Sequence, residues 1–283
     1  MVSISIIVPF YNSEKYIKGC ADSLVAQKYP ANDYEIIFVD NNSTDSSAGI
    51  VERYPEIKLV SESKQSSYAA RNRGIKESSG RIIAFTDPDC IASPDWLAEI
   101  ENAMSDPVVS IILGRPLMAN DSLLLSMLED YENEKNAYIL NSNDRNRYFG
   151  HTNNMAVRRE LFDELGLFIE RERGGDTVFV NSAVKKYSSQ AVKYSESVKV
   201  RHLEIETPLD YYKKAFTHGR HRELSKDIRI ILPISYKKRL SIYRRVTKKR
   251  RYSYRKSLAL FILLIAGMIF WEAGGLSAWI HRD

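Results

Sequence analysis

At 283 residues, 44% hydrophobic and 27% charged, the chain is long enough for one large core, or for a catalytic body with an appendage. Its two cysteines, Cys20 and Cys90, exclude a disulfide framework and a cysteine-based zinc site. The net charge of +5 hides an asymmetry: residues 237–256 hold 11 Lys and Arg and no acid, whereas residues 1–236 hold 29 basic and 34 acidic side chains, a net of −5. The basic character belongs to a tail and says little about the body.

Ile4 to Val8 reads as a first strand. Pro9 breaks this apolar run at strand length, so it is not expected to be a signal-peptide core, and a reducing cytoplasm is the simplest setting. Ser13 is expected to cap a helix whose apolar positions Ile17, Cys20, Ala21, Leu24 and Val25 follow the 3.6-residue period. Tyr34 to Val39 predicts a second strand ending at Asp40; the polar loop Asn41 to Asp45 then leads into a helix through Tyr54. Ile57 to Val60 is a third short strand, and Ser67 to Glu77 a helix.

The fourth strand, Ile82 to Phe85, runs into Asp87-Pro88-Asp89. Pro88 cannot donate to a ladder, so the two acids sit where a strand spills into a loop. Carboxylates converging there repel unless a cation lies between them. All-oxygen ligation suits Mg²⁺ or Mn²⁺, and a phosphate would complete it. Asp-x-Asp also recurs by chance, and its alternative is a solvated turn. Ser93-Pro94-Asp95 then begins a helix with a cap, a first-turn proline and an early acid. This alternation implies an α/β fold with a mostly parallel central sheet and flanking helices.

Beyond residue 107 the alternation loosens. Val108 to Leu113 predicts a strand, Asp121 to Tyr138 a helix and Ser142 to Gly150 a mobile polar loop. Met155 to Val157 predicts a strand, Glu160 to Leu165 a helix, and Gly174-Gly175-Asp176 opens another over Thr177 to Lys186. Pro208 begins a helical piece containing His218, Gly219 and Arg220.

Three strand ends carry polar groups: Tyr11-Asn12, Asp40-Asn41 and the Asp87/Asp89 pair. In a doubly wound sheet these tips converge on one crevice, where Asp40 would accept hydrogen bonds from a base or ribose. Asn12, Asn41 and Asn42 are equally suited to closing Asx-turns. No G-x-G-x-x-G follows the first strand and no G-x-x-x-x-G-K-[ST] occurs, so metal and side chains would have to neutralise a nucleotide's phosphates.

Four ordered blocks, IIVPFYNSEKYI at 6–17, EIIFVDNNSTDSS at 35–47, AARNRGIKESSGRIIAFTDPDC at 69–90 and RGGDTVF at 173–179, resemble an inverting glycosyltransferase of family 2 with the GT-A fold, of the membrane-associated bacterial type. The resemblance runs over roughly residues 3–220. It implies that Pro9, Tyr11 and Asp40 hold the base and ribose, and that Arg71 contacts the base or adjacent phosphate. It also implies that Asp87 lies near ribose and metal, that Asp89 ligates a Mn²⁺ or Mg²⁺ bridging the phosphates, and that Asp176 is the catalytic base. Family members commonly have Glu-Asp where this chain has Gly175-Asp176. The Gln-x-x-Arg-Trp block of processive members is absent; His218-Gly219-Arg220 stands in its place, favouring one sugar per encounter.

The donor implied is a nucleotide sugar, most simply a UDP-sugar, and the acceptor a hydroxyl on a glycan or lipid-linked saccharide. A cation would absorb phosphate charge on the leaving group, and Asp176, at a helix start whose dipole favours its ionised form, would take the acceptor proton. His151 and His218 suit a third metal ligand or a diphosphate donor, or a bland surface position; Arg220 suits a phosphate. A catalytically silent scaffold with the same fold is the alternative.

Residues 258–271, LALFILLIAGMIFW, are uncharged and reach spanning length only when extended through Glu272 to Ile280. Trp271 and Trp279 suit membrane boundaries. The expected organisation is a catalytic domain over 1–225, a basic juxtamembrane segment over 226–256 and a transmembrane or membrane-inserted helix over 257–280. By the positive-inside rule the body lies on the cytoplasmic face of the cell membrane, with the basic run on anionic lipid and no role for nucleic acid.

Overall fold

The computed structural model describes residues 2–142, 147–224 and 234–280. Residues 143–146 of the expected polar loop, residues 226–233 of the expected basic segment and the side chain of Trp279 lie outside the described residues. The chain divides into two compact units, Met1–Leu117 with Leu140–His202, and Met118–Ile139 with Leu203–Asp283.

In the first unit the apolar runs fold as expected into β1 (Ile4–Phe10), α1 (Ile17–Val25), β2 (Tyr34–Asp40), α2 (Ser47–Val51), β3 (Ile57–Ser61), α3 (Ser67–Glu77) and β4 (Ile82–Thr86). Ser13 starts α1 differently from expectation. Its carbonyl accepts from the Tyr16 and Ile17 amides at 3.0 and 2.9 Å, while its hydroxyl turns to the Tyr11 carbonyl at 3.1 Å. The helix therefore has no side-chain cap. A short strand β5 (Cys90–Ala92) precedes α4 (Trp96–Ala103) and β6 (Ile111–Leu117).

Leu123–Leu140 forms α5, followed by β7 (Asn154–Arg158), α6 (Arg159–Leu165), α7 (Gly175–Lys186) and β8 (Val192–His202). β8 escaped the sequence reading because Lys193, Glu196, Lys199 and Arg201 interrupt its apolar run. Val192, Tyr194, Val198, Val200 and His202 are nevertheless buried.

The eight strands form one sheet in the order β3-β2-β1-β4-β7-β6-β8-β5. β1 to β4 pair in parallel, β7 runs antiparallel to both β4 and β6, β6 is parallel to β8, and β5 closes antiparallel on β8. The proline in a central strand has a topological explanation. β1 and β4 pair only from Ile4↔Ile82 to Ile7↔Phe85, whereas β1 and β2 continue to Phe10↔Asp40. Pro9 thus falls beyond the end of the β4 ladder, where its missing N–H costs nothing. Past Ile7 the two strands part at the point where the strand order reverses, and the crevice opens at the carboxyl edge of the sheet. Antiparallel β7 starts at this edge and parallel β8 ends there, which brings later residues to the same rim.

One buried polar group ties the second half of the sheet together. Asn154, fully buried, accepts from Trp96 Nε1 at 2.9 Å and donates to the Val198 and Arg115 carbonyls at 3.0 and 3.2 Å. It thereby joins β7 to α4, β6 and β8.

The second unit consists of α5, α8 (Pro208–Leu224), α9 (Tyr236–Lys249) and α10 (Tyr254–Ile280). Met127 and Tyr131 of α5 pack with Ile242 and Val246 of α9 and Leu260 of α10; Leu125 and Leu128 pack with Leu263 and Leu264. Among the described residues, α10 is the helix long and apolar enough to cross a membrane.

Asn154→Ala should lower unfolding free energy by about 3 kcal/mol, because an indole N–H and two buried carbonyls lose their partner. Urea denaturation followed by tryptophan fluorescence reads this directly. An unchanged midpoint would mean that these bonds contribute nothing.

Candidate active site

Two side chains three apart on α3, hence on one face of the helix, reach different parts of the crevice. Arg71, only 5% exposed, donates through Nη2 to Asp87 Oδ1 at 2.5 Å and through Nη1 to the Ser67 carbonyl at 3.3 Å. Its Nε is buried without a hydrogen-bond partner among the described residues. Tyr68, whose ring lies beneath the guanidinium at 5.6 Å, donates its hydroxyl to Asp176 Oδ1 at 2.9 Å.

Asp176 stands in the first turn of α7, after Gly174 in the left-handed conformation at φ 79°. Both of its hydrogen bonds fall on Oδ1, from Tyr68 and from the Thr177 amide at 2.7 Å; Oδ2 accepts none among the described residues. Burial raises this carboxyl above its ordinary value, against the opposing pull of the Tyr68 and Thr177 bonds, Arg71 and His151. Burial likewise pushes the Tyr68 phenol upward, with Asp176 adding to it, so Tyr68 remains a donor.

Gly175 is required for this arrangement: a Cβ there would lie 2.7 Å from the Ile169 carbonyl and 3.1 Å from the Tyr68 ring. A glutamate in its place would displace the tyrosine that holds Asp176.

The Asp87-Pro88-Asp89 turn closes through the Cys90 amide onto the Asp87 carbonyl at 3.0 Å, with Pro88 at its second position. The two acids consequently take different partners. Asp87 faces Arg71, while Asp89, 8% exposed, places Oδ2 3.3 Å from His202 Nε2. Asp89, Cys90 and His202 present ligand atoms within 4.8 Å of one another, and Asp87 is not in that group. Burial, then Asp89 and Asp87, push the Cys90 thiol well up, which leaves the carboxylate and imidazole as the effective donors. They suit a divalent cation.

His202 was missed by sequence reasoning. Its signal was faint: it ends the inward row Val198, Val200, His202, and register pairs it with Cys90 beside Asp89.

His151 contacts the Gly114 carbonyl through Nε2 at 3.1 Å. Burial holds its imidazole below the ordinary value, opposed by that carbonyl, Asp176 and Asp87. A neutral ring bonded to a carbonyl carries its proton on Nε2, leaving Nδ1 as the lone pair.

Of the remaining expected residues, Pro9 is buried at the end of β1 and Tyr11 is half exposed just beyond it. Asp40 Oδ1 accepts from the Ser43 amide at 2.9 Å, shaping the loop after β2. Asn12 and Asn41 serve as loop ties: Asn12 Oδ1 accepts from the Thr44 amide at 2.8 Å, and Asn41 donates to the Glu62 and Lys64 carbonyls. His218 and Arg220 belong to the second unit, exposed on α8, with the His218 ring stacked against Trp271 at 6.3 Å.

A doubly wound α/β sheet with acids and a guanidinium at its switch point, and no glycine cradle, is the layout of the GT-A fold. Residues 5–166, more than half of the chain, match the family described as "Glycosyl transferase family 2", and the protein belongs to that family. Glycosyltransferase AglE of Haloferax volcanii is 32% identical over 171 residues, 58% of this chain and 55% of that protein. Poly(ribitol-phosphate) beta-glucosyltransferase of Bacillus spizizenii is 38% identical over 120 residues, 40% of this chain and 19% of its own length. The chain thus spans about half the length of the first relative and a fifth of the second.

Solved structures share the fold. The mannosyltransferase PcManGT from Pyrobaculum calidifontis, in complex with GDP-Man and Mn²⁺, superposes with a TM-score of 0.63 at 18% identity, covering 99% of this chain and 88% of that one. S. aureus TarS 1-349 in complex with UDP-GlcNAc gives 0.55 at 17% identity over 99% and 92%. The expected fold and family both hold.

Tyr68→Phe removes a bond that favours the ionised form of Asp176, so the carboxyl should titrate at still higher pH. Carboxyl ¹³C shifts followed across a pH series would show it. A midpoint that stays put or falls would detach Tyr68 from the charge of Asp176.

Proposed function

We propose that this protein transfers one sugar per encounter from a nucleoside-diphosphate sugar, with uridine as the base, to a hydroxyl of a glycan or lipid-linked saccharide, inverting the anomeric centre. The observation that carries the reading is Asp176: a buried carboxylate at the crevice whose Oδ1 is held by two donors while Oδ2 accepts none among the described residues. Such a group is pre-oriented to receive a proton and raised toward the pH at which a base works best. As the acceptor oxygen bonds to the anomeric carbon, Oδ2 takes its proton. The bond from that carbon to the diphosphate breaks, and its electron pair leaves with the diphosphate.

The nucleotide would lie across Pro9, Tyr11 and Asp40, with Arg71 and its partner Asp87 toward the ribose and phosphates. A divalent cation held by Asp89 and His202 would neutralise charge on the departing diphosphate. An imidazole in the donor set favours Mn²⁺ over Mg²⁺, which prefers oxygen throughout. The Mn²⁺ and GDP-Man named for one solved neighbour support a cation and a nucleotide-sugar donor, and the UDP-GlcNAc named for another supports uridine. The apolar α10 and the basic residues before it support attachment to the cytoplasmic face of the cell membrane, in contact with anionic lipid.

Asp176→Asn should lower transfer by about 10²-fold or more while donor affinity holds. The folded-state carboxyl is raised, so its contribution to stability is present at low pH and lost as pH rises through its folded value. At neutral pH the neutral isostere should therefore melt no lower than the parent. NMR of the product must show a β-linkage from an α-linked donor; retention would overturn the single displacement.

For the metal, activity should vanish with chelator and return with Mn²⁺. Asp89→Asn and His202→Ala should each weaken Mn²⁺ binding measured calorimetrically. If both variants bind Mn²⁺ like the parent, the cation lies elsewhere.

A further inference from the structure

Among the described residues, one face of α10 is left exposed. Leu258, Phe261, Ile262, Ile265, Ile269 and Leu276 are 37–64% exposed and share one helical face, an apolar stripe that the exposed Glu272 interrupts between Ile269 and Leu276. Tyr254, 82% exposed, continues it at the helix start. The opposite face is packed: Leu260 and Ala278 are buried, and α8 lies against the middle and later part of the helix.

That α8 contact is close. A Cβ on Gly219 would fall 2.0 Å from the Trp271 carbonyl, and one on Gly274 2.0 Å from the Phe216 carbonyl, so the two backbones touch. The Tyr212 ring stacks on Phe270 at 5.3 Å, and its hydroxyl donates to the Leu263 carbonyl at 3.2 Å. α8 therefore flanks α10 across residues 263–274, where a spanning helix would cross the bilayer centre. It carries charge there: Lys213 pairs with Asp210 and Lys214 with Glu204, all at least partly exposed, and Arg220 is exposed. A spanning α10 would draw these charges into hydrocarbon.

We infer that α10 does not span but lies in the plane of an anionic membrane surface, with its Leu258-to-Leu276 face among the acyl chains and α8 on the water side. Charge complementarity identifies the occupant. Lys248, Arg251, Arg255 and Lys256 are exposed beside the start of the stripe. Others of the basic run pair with acids of α5 while staying exposed themselves, Arg245 and Lys249 with Glu134 and Arg250 with Asp130. The cations left at the surface flank an apolar face with an aromatic at its end, the arrangement by which interfacial helices bind phosphate headgroups. Glu272, exposed within the stripe three residues after Ile269 and four before Leu276, limits the later part of a flat helix to headgroup depth.

This placement rests on the membrane attachment proposed above, and depth measurement separates the two. Leu258→Cys, Ile265→Cys and Leu276→Cys would each be labelled with an environment-sensitive fluorophore in the full chain; Cys20 and Cys90 are fully buried and leave the label selective. Quenching by nitroxide lipids is then measured in phosphatidylcholine vesicles with and without phosphatidylglycerol. The expected result is one shallow depth for all three probes, with binding at least about tenfold weaker when phosphatidylglycerol is omitted. A deep probe at 265 with shallow ones at 258 and 276 would overturn the flat placement and leave membrane attachment standing. No quenching at any position would remove both, and equal binding to the two vesicles would remove the anionic partner.

Discussion

A guanidinium with 5% of its surface exposed cannot stand alone in a protein interior, and Arg71 is neutralised by Asp87 at 2.5 Å. Removing Asp87 would leave the buried guanidinium uncompensated. The pair joins α3 to the end of β4 and so fixes the turn that follows. With Asp87 committed to Arg71, Asp89 is directed the other way, toward His202. Tyr68, one turn earlier on α3, is held by the same helix in position for Asp176. One ion pair thus sets the spacing between the group proposed to hold a cation and the group proposed to take a proton.

The conflict between stability and chemistry is concentrated at Asp176. Burial disfavours its charge, and two donors on Oδ1 return part of that loss while leaving Oδ2 unengaged. Gly175 belongs to the same compromise. The absence of a side chain there admits the Tyr68 ring against the start of α7, and this explains a departure from the Glu-Asp pair in physical terms.

The second unit answers a different constraint. Its apolar C-terminal helix packs Leu260, Leu263 and Leu264 against α5 and α9 and leaves Leu258, Phe261, Ile262, Ile265, Ile269 and Leu276 exposed. Composition alone describes such a helix as spanning. The charges of α8 beside its middle are what the proposed flat placement rests on.

Much of the architecture was legible in the chain because parallel strands buried on both faces read as short apolar runs, and helices α1, α3 and α6 show their period plainly. The Asp-Pro-Asp turn was equally legible, since it lies in residue order, whereas Arg71 and Asp176 were singled out through the family resemblance. β8 and His202 were not: an alternating strand with charges on its exposed side has no local signal of burial, and His202 acquires its meaning only from pairing with Cys90. Tyr68 was not legible either, because no local pattern announces a hydrogen bond across 108 residues. The sequence by itself determined the fold class, the strand ends and the acids they carry, since these follow from local periodicity and turn chemistry. Only the tertiary structure decided which acid faces a guanidinium and which an imidazole, and which side of α10 stays bare, because those outcomes depend on contacts between segments far apart in the chain.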